Sequence, residues 1–144
     1  MEKVVSRSVY PELITLKTLY DSTGNLSIID PNNDSNLPFS IRRVYFLWDL
    51  DKNASRGSHA HKELQQLIIA INGAIKVKLK RKNENLEFVL NKPNIGLYVP
   101  QGWWRELEES TIDSRILVIA SQEYLESDYI RDFAIFTSWI DKND

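Results

Sequence analysis

A chain of 144 residues with 18 basic and 20 acidic side chains, and a formal net charge of -2, carries no global field that would select nucleic acid as a partner. It has no cysteine, which excludes a disulfide framework and any thiolate metal site and agrees with a reducing, cytoplasmic compartment. At this length one core is expected, burying about two-thirds of the extended chain's surface without staples.

The N-terminal stretch Met1-Glu2-Lys3-Val4-Val5-Ser6-Arg7 lacks the apolar run of a signal peptide, and no segment approaches membrane-spanning length, so no membrane partner is expected. From there the chain reads as short β-runs separated by turn chemistry. Period-2 or branched apolar patterns fall at 13–18, 25–30, 42–50, 64–71, 74–80, 86–90, 96–99, 104–107 and 114–120. The stretch 56–61 is read as a strand too, because alternate side chains there share a face. Turn signals lie between: Ser22-Thr23-Gly24-Asn25, Pro31-Asn32-Asn33-Asp34, Asp51-Lys52-Asn53, Asn72-Gly73, Lys82-Asn83-Glu84-Asn85 and Asn91-Lys92-Pro93-Asn94. Asn72-Gly73 is the sharpest and predicts a type I′ hairpin.

The basic run Lys76, Lys78, Lys80, Arg81 and Lys82 alternates with Ile75, Val77 and Leu79, which reads as a solvated sheet face. After Ala120 the period changes. Phe133, Ile135, Phe136, Trp139 and Ile140 stand at helical spacing, predicting one terminal helix over 132–140 with Asp128 or Ser127 as its cap. With no repeat, low-complexity tract or dividing linker, the expectation is a single domain over 1–144: an all-β jelly roll closed by a short C-terminal helix.

Both histidines lie in Arg56-Gly57-Ser58-His59-Ala60-His61, and strand geometry aims their imidazoles at one point. Four residues later comes Gln66, and six more lead to Gly73. That rhythm resembles the first cupin motif, G…H-x-H-x4-E-x6-G, with Gln66 where the glutamate ligand stands. Gly96-Leu97-Tyr98-Val99-Pro100-Gln101-Gly102-Trp103-Trp104-Arg105 echoes the second motif, with Arg105 in place of its histidine. An amide binds a divalent cation poorly and a guanidinium repels it, so a double-stranded β-helix (cupin) pocket without metal or cofactor is expected. Two imidazoles beside a fixed positive charge suit proton transfer on an anionic or carbonyl-bearing substrate.

Arg43-Val44-Tyr45, Arg56 to Lys62 with Gln66, Asn72-Gly73, Gly96-Leu97-Tyr98-Val99 with Trp104-Arg105-Glu106, and Ser127-Asp128-Tyr129-Ile130-Arg131 together resemble the dTDP-4-keto-6-deoxyhexose 3,4-ketoisomerases, the WxcM-like cupins of deoxyamino-sugar biosynthesis. The resemblance implies that a dTDP-linked 4-keto-6-deoxyhexose is converted to its 3-keto isomer through an enediol, without metal or redox cofactor, by a homodimer. It implies His59 as the base and Tyr45, on a strand neighbouring the histidines, as a hydroxyl touching imidazole or sugar. His61 is either a second proton carrier or the partner that orients the first. Histidine would supply a near-neutral pKa without large tuning. Substrate contacts are expected from Arg43, Arg56, Lys62, Gln66, Tyr98, Trp104 and Arg105, with Arg105 either stabilising the enediolate or holding a phosphate. Only one of Arg42 and Arg43 can face inward on a strand, and Trp103 and Trp104 must face oppositely. Glu63 is read as surface.

Where relatives read D-x-R-G-x-L, this chain has Asp21-Ser22-Thr23-Gly24-Asn25-Leu26, so Thr23 replaces an arginine expected to touch substrate. A non-catalytic nucleotide-sugar-binding cupin and a cupin-type sugar epimerase are the competing readings.

Overall fold

Strict alternation along each strand divides its side chains between an inner and an outer face, and the fold follows from what covers each face. The computed structural model describes residues 9–30 and 37–143; the stretch 1–7 and the turn at Pro31-Asn32-Asn33-Asp34 lie outside them. The elements are β1 Glu12–Thr15, β2 Lys17–Leu19, β3 Leu26–Ile28, β4 Arg43–Leu47, β5 Arg56–His61, β6 Gln66–Asn72, β7 Ile75–Arg81, β8 Glu84–Leu90, β9 Ile95–Val99, β10 Trp104–Glu108, β11 Arg115–Ala120, a 3-10 turn Glu126–Asp128, β12 Tyr129–Ile130 and α1 Phe133–Asn143.

Two five-stranded antiparallel sheets, ordered β1-β9-β6-β11-β4 and β12-β5-β10-β7-β8, form the jelly roll, and β2 and β3 make a separate hairpin. Ile68, Ala70, Leu97, Val99, Ile116 and Val118 of the first sheet meet Ile75, Val77, Leu79 and Leu107 of the second in one core. The alternate residues Leu67, Ile69, Tyr98 and Ile119 face the other way, under Ile14 and Phe39. On the back of the second sheet, Ala60, Trp104 and Ile130 are covered by Phe136 and Ile140 of α1. Both tryptophans are therefore packing residues: Trp103 lies in the core between the sheets and Trp104 lies beneath the helix.

Three expectations are corrected. Asn72-Gly73 does not close a hairpin, because β6 and β7 belong to different sheets. The turn instead carries the chain across, with Gly73 at φ +68, the Asn72 amide donating to Asp113 O at 2.7 Å and the Ala74 amide to Thr111 Oγ1 at 2.9 Å. The tight hairpin is β7–β8, where Arg81 pairs with Glu84 around Lys82-Asn83. The helix begins at Phe133 and is capped by Asp132, whose Oδ1 accepts the Ile135 amide at 3.0 Å, so Ser127 and Asp128 are not its caps. Tyr45 is not beside the histidine strand either, since β4 ends the first sheet while β5 belongs to the second.

The lysine face is as expected: Lys76 and Lys78 pair with Glu109 and Glu108 at 2.6 and 2.7 Å, partly exposed. None of the described helices is long and apolar enough to cross a membrane.

Candidate active site

A cavity of about 400 Å3 opens between the sheets, lined on the second sheet by Arg56, Gly57, His59, Arg105, Leu107 and Tyr129. The first sheet contributes Arg43, Tyr45, Leu47, Gln66, Ile68 and Val118, with Tyr124 and Arg131 at the mouth. It follows from strand pairing that these side chains share a face. His59 lies opposite Arg105 on β10, and His61 lies opposite Tyr129 on β12.

Arg56 would not join them by alternation alone, because it is three residues from His59. The β5–β10 register supplies the reason. His59 pairs with Arg105 but Arg56 pairs with Leu107, so β5 carries one residue more than its partner, a bulge with Gly57 at φ +81. The bulge resets the phase and turns Arg56 to the cavity.

Inside the cavity two polar chains run. In the first, Asp128 is almost wholly buried and accepts three hydrogen bonds: from the Glu63 amide at 2.7 Å, the Leu64 amide at 3.3 Å and His61 Nδ1 at 2.9 Å. His61 Nε2 lies 3.1 Å from His59 Nε2, and the Tyr129 ring packs against both imidazoles, 4.3 Å from His61 and 4.9 Å from His59. His61 is fully buried and does not line the cavity, whereas His59 does. In the second chain, Arg105 Nη1 donates to Gln66 Oε1 at 2.5 Å and Gln66 Nε2 donates to the Tyr45 hydroxyl oxygen at 3.0 Å. Arg105 Nη2 donates to Trp103 O at 3.2 Å, and its buried Nε has no hydrogen-bond partner. Gln66 thus joins two side chains and also faces the cavity.

Electrostatics departs from the expectation of an untuned histidine. Burial, then the guanidinium of Arg105, His61, and the guanidinia of Arg131 and Arg43, push His59 down to about 2. Burial likewise lowers His61, to about 4, against the raising effect of its hydrogen bond to Asp128. Both imidazoles are neutral at pH 7, and the His61–Asp128 contact is a neutral donor on a carboxylate. Burial raises the Asp128 carboxyl, but the hydrogen bonds from His61 and the Glu63 amide outweigh it and hold it below the usual range. Arg105 is lowered by burial to about 10 and stays cationic. Burial raises the Tyr45 hydroxyl, so it remains protonated.

The donor set does not fit a divalent cation. The histidine Nε2 atoms face one another, Gln66 Oε1 is taken by Arg105, and a guanidinium stands where a further ligand would.

Of the residues expected from the sequence, His59, Tyr45, Arg43, Arg56, Gln66 and Arg105 line one cavity, with His61 directly behind His59. Three do not. Tyr98 alternates with Leu97 and Val99, so it faces outward and donates to Gln65 Oε1 at 2.5 Å. Trp104 alternates with Arg105 and lies under α1. Lys62 is exposed and out of phase with the histidines, lining a separate surface depression with Val9 and Gln101. Arg43 faces inward and Arg42 is exposed, as alternation requires. Thr23 lies at the exposed tip of the β2–β3 hairpin, where its amide and hydroxyl bond Asp21 Oδ1 at 2.8 and 2.7 Å.

Asp128, Tyr129, Tyr124 and Arg131 were missed as site residues. The signal available was their clustering in a charged and aromatic run just after the last long strand. Arg131 stacks 4.2 Å over the Tyr129 ring and pairs with Glu126 at 2.9 Å, and Arg43 donates to the Tyr129 hydroxyl at 3.3 Å.

Residues 10–141 match the model of the family described as FdtA: WxcM-like, C-terminal. A TDP-4-oxo-6-deoxy-alpha-D-glucose-3,4-oxoisomerase of Aneurinibacillus thermoaerophilus is 40% identical over 131 residues, covering 91% of this chain and 93% of that one. A crystal structure of a mutant 3,4-ketoisomerase QdtA of Thermoanaerobacterium thermosaccharolyticum, in complex with TDP-4-keto-6-deoxyglucose, superposes with TM-score 0.87 at 38% identity, covering 92% of this chain and 94% of that one. The WlaRB TDP-quinovose 3,4-ketoisomerase of Campylobacter jejuni superposes with TM-score 0.83 at 34% identity, covering 89% and 97%.

The bulge makes a direct prediction. Gly57→Ala places a side chain on left-handed backbone and should lower stability by about 1–2 kcal/mol in urea unfolding. An unchanged midpoint would show that the bulge is not a fixed feature of β5.

Proposed function

Because the chain belongs to the FdtA family, WxcM-like, C-terminal, we propose that it is a 3,4-ketoisomerase acting on a dTDP-linked 4-keto-6-deoxyhexose, with the pocket between the sheets as its active site. The observation that supports it most is a concave site holding arginines, a neutral imidazole and a protonated tyrosine, with no carboxylate among the described residues that line it.

In the reaction, His59 takes the proton from C3, which the C4 carbonyl acidifies. The C–H electron pair becomes the C3=C4 bond, and the carbonyl π pair moves to O4. Arg105 donates to that oxyanion: it is 2% exposed, donates only to neutral oxygens, and sits opposite His59 in the register. Its depth favours the enediolate as its partner and leaves the diphosphate to Arg43 and the exposed Arg56, whose guanidinium forks match anionic oxygens. Tyr45 accepts from Gln66 and keeps its own hydrogen for the substrate, so it supplies a proton to O4. The Tyr45 oxygen then takes the 3-hydroxyl proton, forming C3=O, as the protonated histidine, having exchanged with solvent, delivers a proton to C4, so both groups end as they began. One C–H and one O–H bond break and one of each forms, so no oxidant or metal is required.

The low basicity of His59 in the ligand-free site has a remedy in the substrate. A diphosphate on Arg43 and Arg56 offsets part of the positive field, which favours imidazolium and moves His59 upward. This is the state in which proton abstraction occurs.

Homodimerisation is the reading for the outer face of the first sheet. Val44 and Phe46 on its terminal strand β4, and Trp48 just past the end of that strand, are 55%, 65% and 60% exposed. A stripe of this kind on an edge strand is a natural seat for a second copy.

Three outcomes are expected. Proton NMR of dTDP-4-keto-6-deoxyglucose with the enzyme in heavy water should show a 3-keto product with solvent deuterium at C4, and His59→Asn should lower kcat about 10²–10⁴-fold. Unchanged turnover in the variant would remove His59 as the base. An NMR titration should find the His59 midpoint higher with TDP bound than without; an equal or lower midpoint would contradict substrate-assisted tuning. Light scattering should give a dimer mass that Phe46→Glu reduces to that of the monomer; a monomeric wild type would overturn the interface.

A further inference from the structure

We propose that Asp128 is a positioning residue that sets the tautomers of both histidines, so that His59 presents the lone pair of Nδ1, and not Nε2, to the substrate. The proposal rests on the ketoisomerase reading for its catalytic meaning, but the assignment follows from counting donors and acceptors.

A carboxylate can only accept. Asp128 Oδ2 lies 2.9 Å from His61 Nδ1, so that nitrogen carries the hydrogen. His61 is neutral, which leaves its Nε2 with a lone pair. The 3.1 Å contact between the two Nε2 atoms needs one hydrogen, and it must come from His59. His59 is neutral as well, so its remaining nitrogen, Nδ1, is bare. It belongs to the imidazole that lines the cavity, whereas His61 is fully buried behind it. The orientation of the whole row is fixed at its far end by two backbone amides, of Glu63 and Leu64, that hold the carboxylate in place.

The same row gives the abstracted proton somewhere to rest. When Nδ1 of His59 takes the C3 proton, the Nε2 hydrogen can pass to His61 Nε2. Positive charge then lies on His61 against the Asp128 carboxylate, away from Arg105. On this proposal His61 acts as a proton carrier without touching substrate, the first of the two roles the sequence left open.

Asp128→Asn distinguishes orientation from mere packing. Its amide oxygen can still accept the Glu63 amide, but its NH2 turns to His61 Nδ1 and reverses the row. His61 would then donate from Nε2, and His59 would carry its hydrogen on Nδ1, facing the substrate. The expected result is a fall in kcat of about 10²–10⁴-fold with KM nearly unchanged. Nitrogen-15 spectra of the TDP complex should show His59 Nδ1 as the unprotonated nitrogen in the wild type and Nε2 as the unprotonated one in the variant. Wild-type protein with hydrogen on His59 Nδ1, or a variant of undiminished kcat, would overturn the proposal. The wild-type spectrum suffices if the variant does not fold. An inactive wild type whose His59 Nδ1 is bare would instead refute the ketoisomerase reading and leave the tautomer assignment standing.

Discussion

A guanidinium stands inside the barrel with no carboxylate hydrogen-bonded to it among the described residues, and the proposed chemistry of the site follows from that charge. Arg105 is 2% exposed and donates only to the Gln66 amide oxygen and the Trp103 carbonyl. A buried cation without a counter-ion is costly, and the cost is relieved when negative charge arrives. In the proposed mechanism the diphosphate would do so at the rim and the developing enediolate at depth. Burial, joined by the same charge, lowers His59 and His61, so both imidazoles are neutral. In the proposed mechanism substrate binding and basicity are therefore coupled through one field.

Strand parity explains both what the sequence disclosed and where it misled. His59 and His61 share a face, and so do Arg43 and Tyr45, which made their inward direction readable. Alternation could equally have warned that Tyr98 must face away if Leu97 and Val99 are core, and that Trp104 must face away from Arg105. Arg56 is the converse case. Its spacing from His59 argues against a shared face, and only the extra residue at Gly57 brings it round. A bulge is set by pairing with a partner strand, so a lone strand pattern does not reveal it.

Asp128 was hidden for a different reason. An aspartate shortly before a helical pattern reads as a cap, but Asp132 already fills that role. Asp128 is thereby free to collect two amides and an imidazole from a segment more than sixty positions away. Long-range polar contacts of this sort leave no local period in the chain. The Asn72-Gly73 reading failed in a similar way: the dipeptide does place a glycine at positive φ, but which sheet receives the next strand depends on the core between Ile75 and its neighbours.

The amide at position 66 shows how one neutral side chain holds these parts together. Gln66 accepts from Arg105 through its oxygen and donates to Tyr45 through its nitrogen. A carboxylate there would pair with Arg105 and cancel the field that, in the proposed mechanism, receives the enediolate. Lacking an N–H, it would also require the Tyr45 hydroxyl to donate to it, taking away the hydrogen that Tyr45 otherwise offers the substrate. Glutamine leaves the guanidinium without a carboxylate on that nitrogen and leaves the tyrosine's hydrogen uncommitted to position 66. The residue whose exchange removes a metal ligand from the cupin pattern is thus the one that, in the proposed mechanism, makes proton chemistry available in its place.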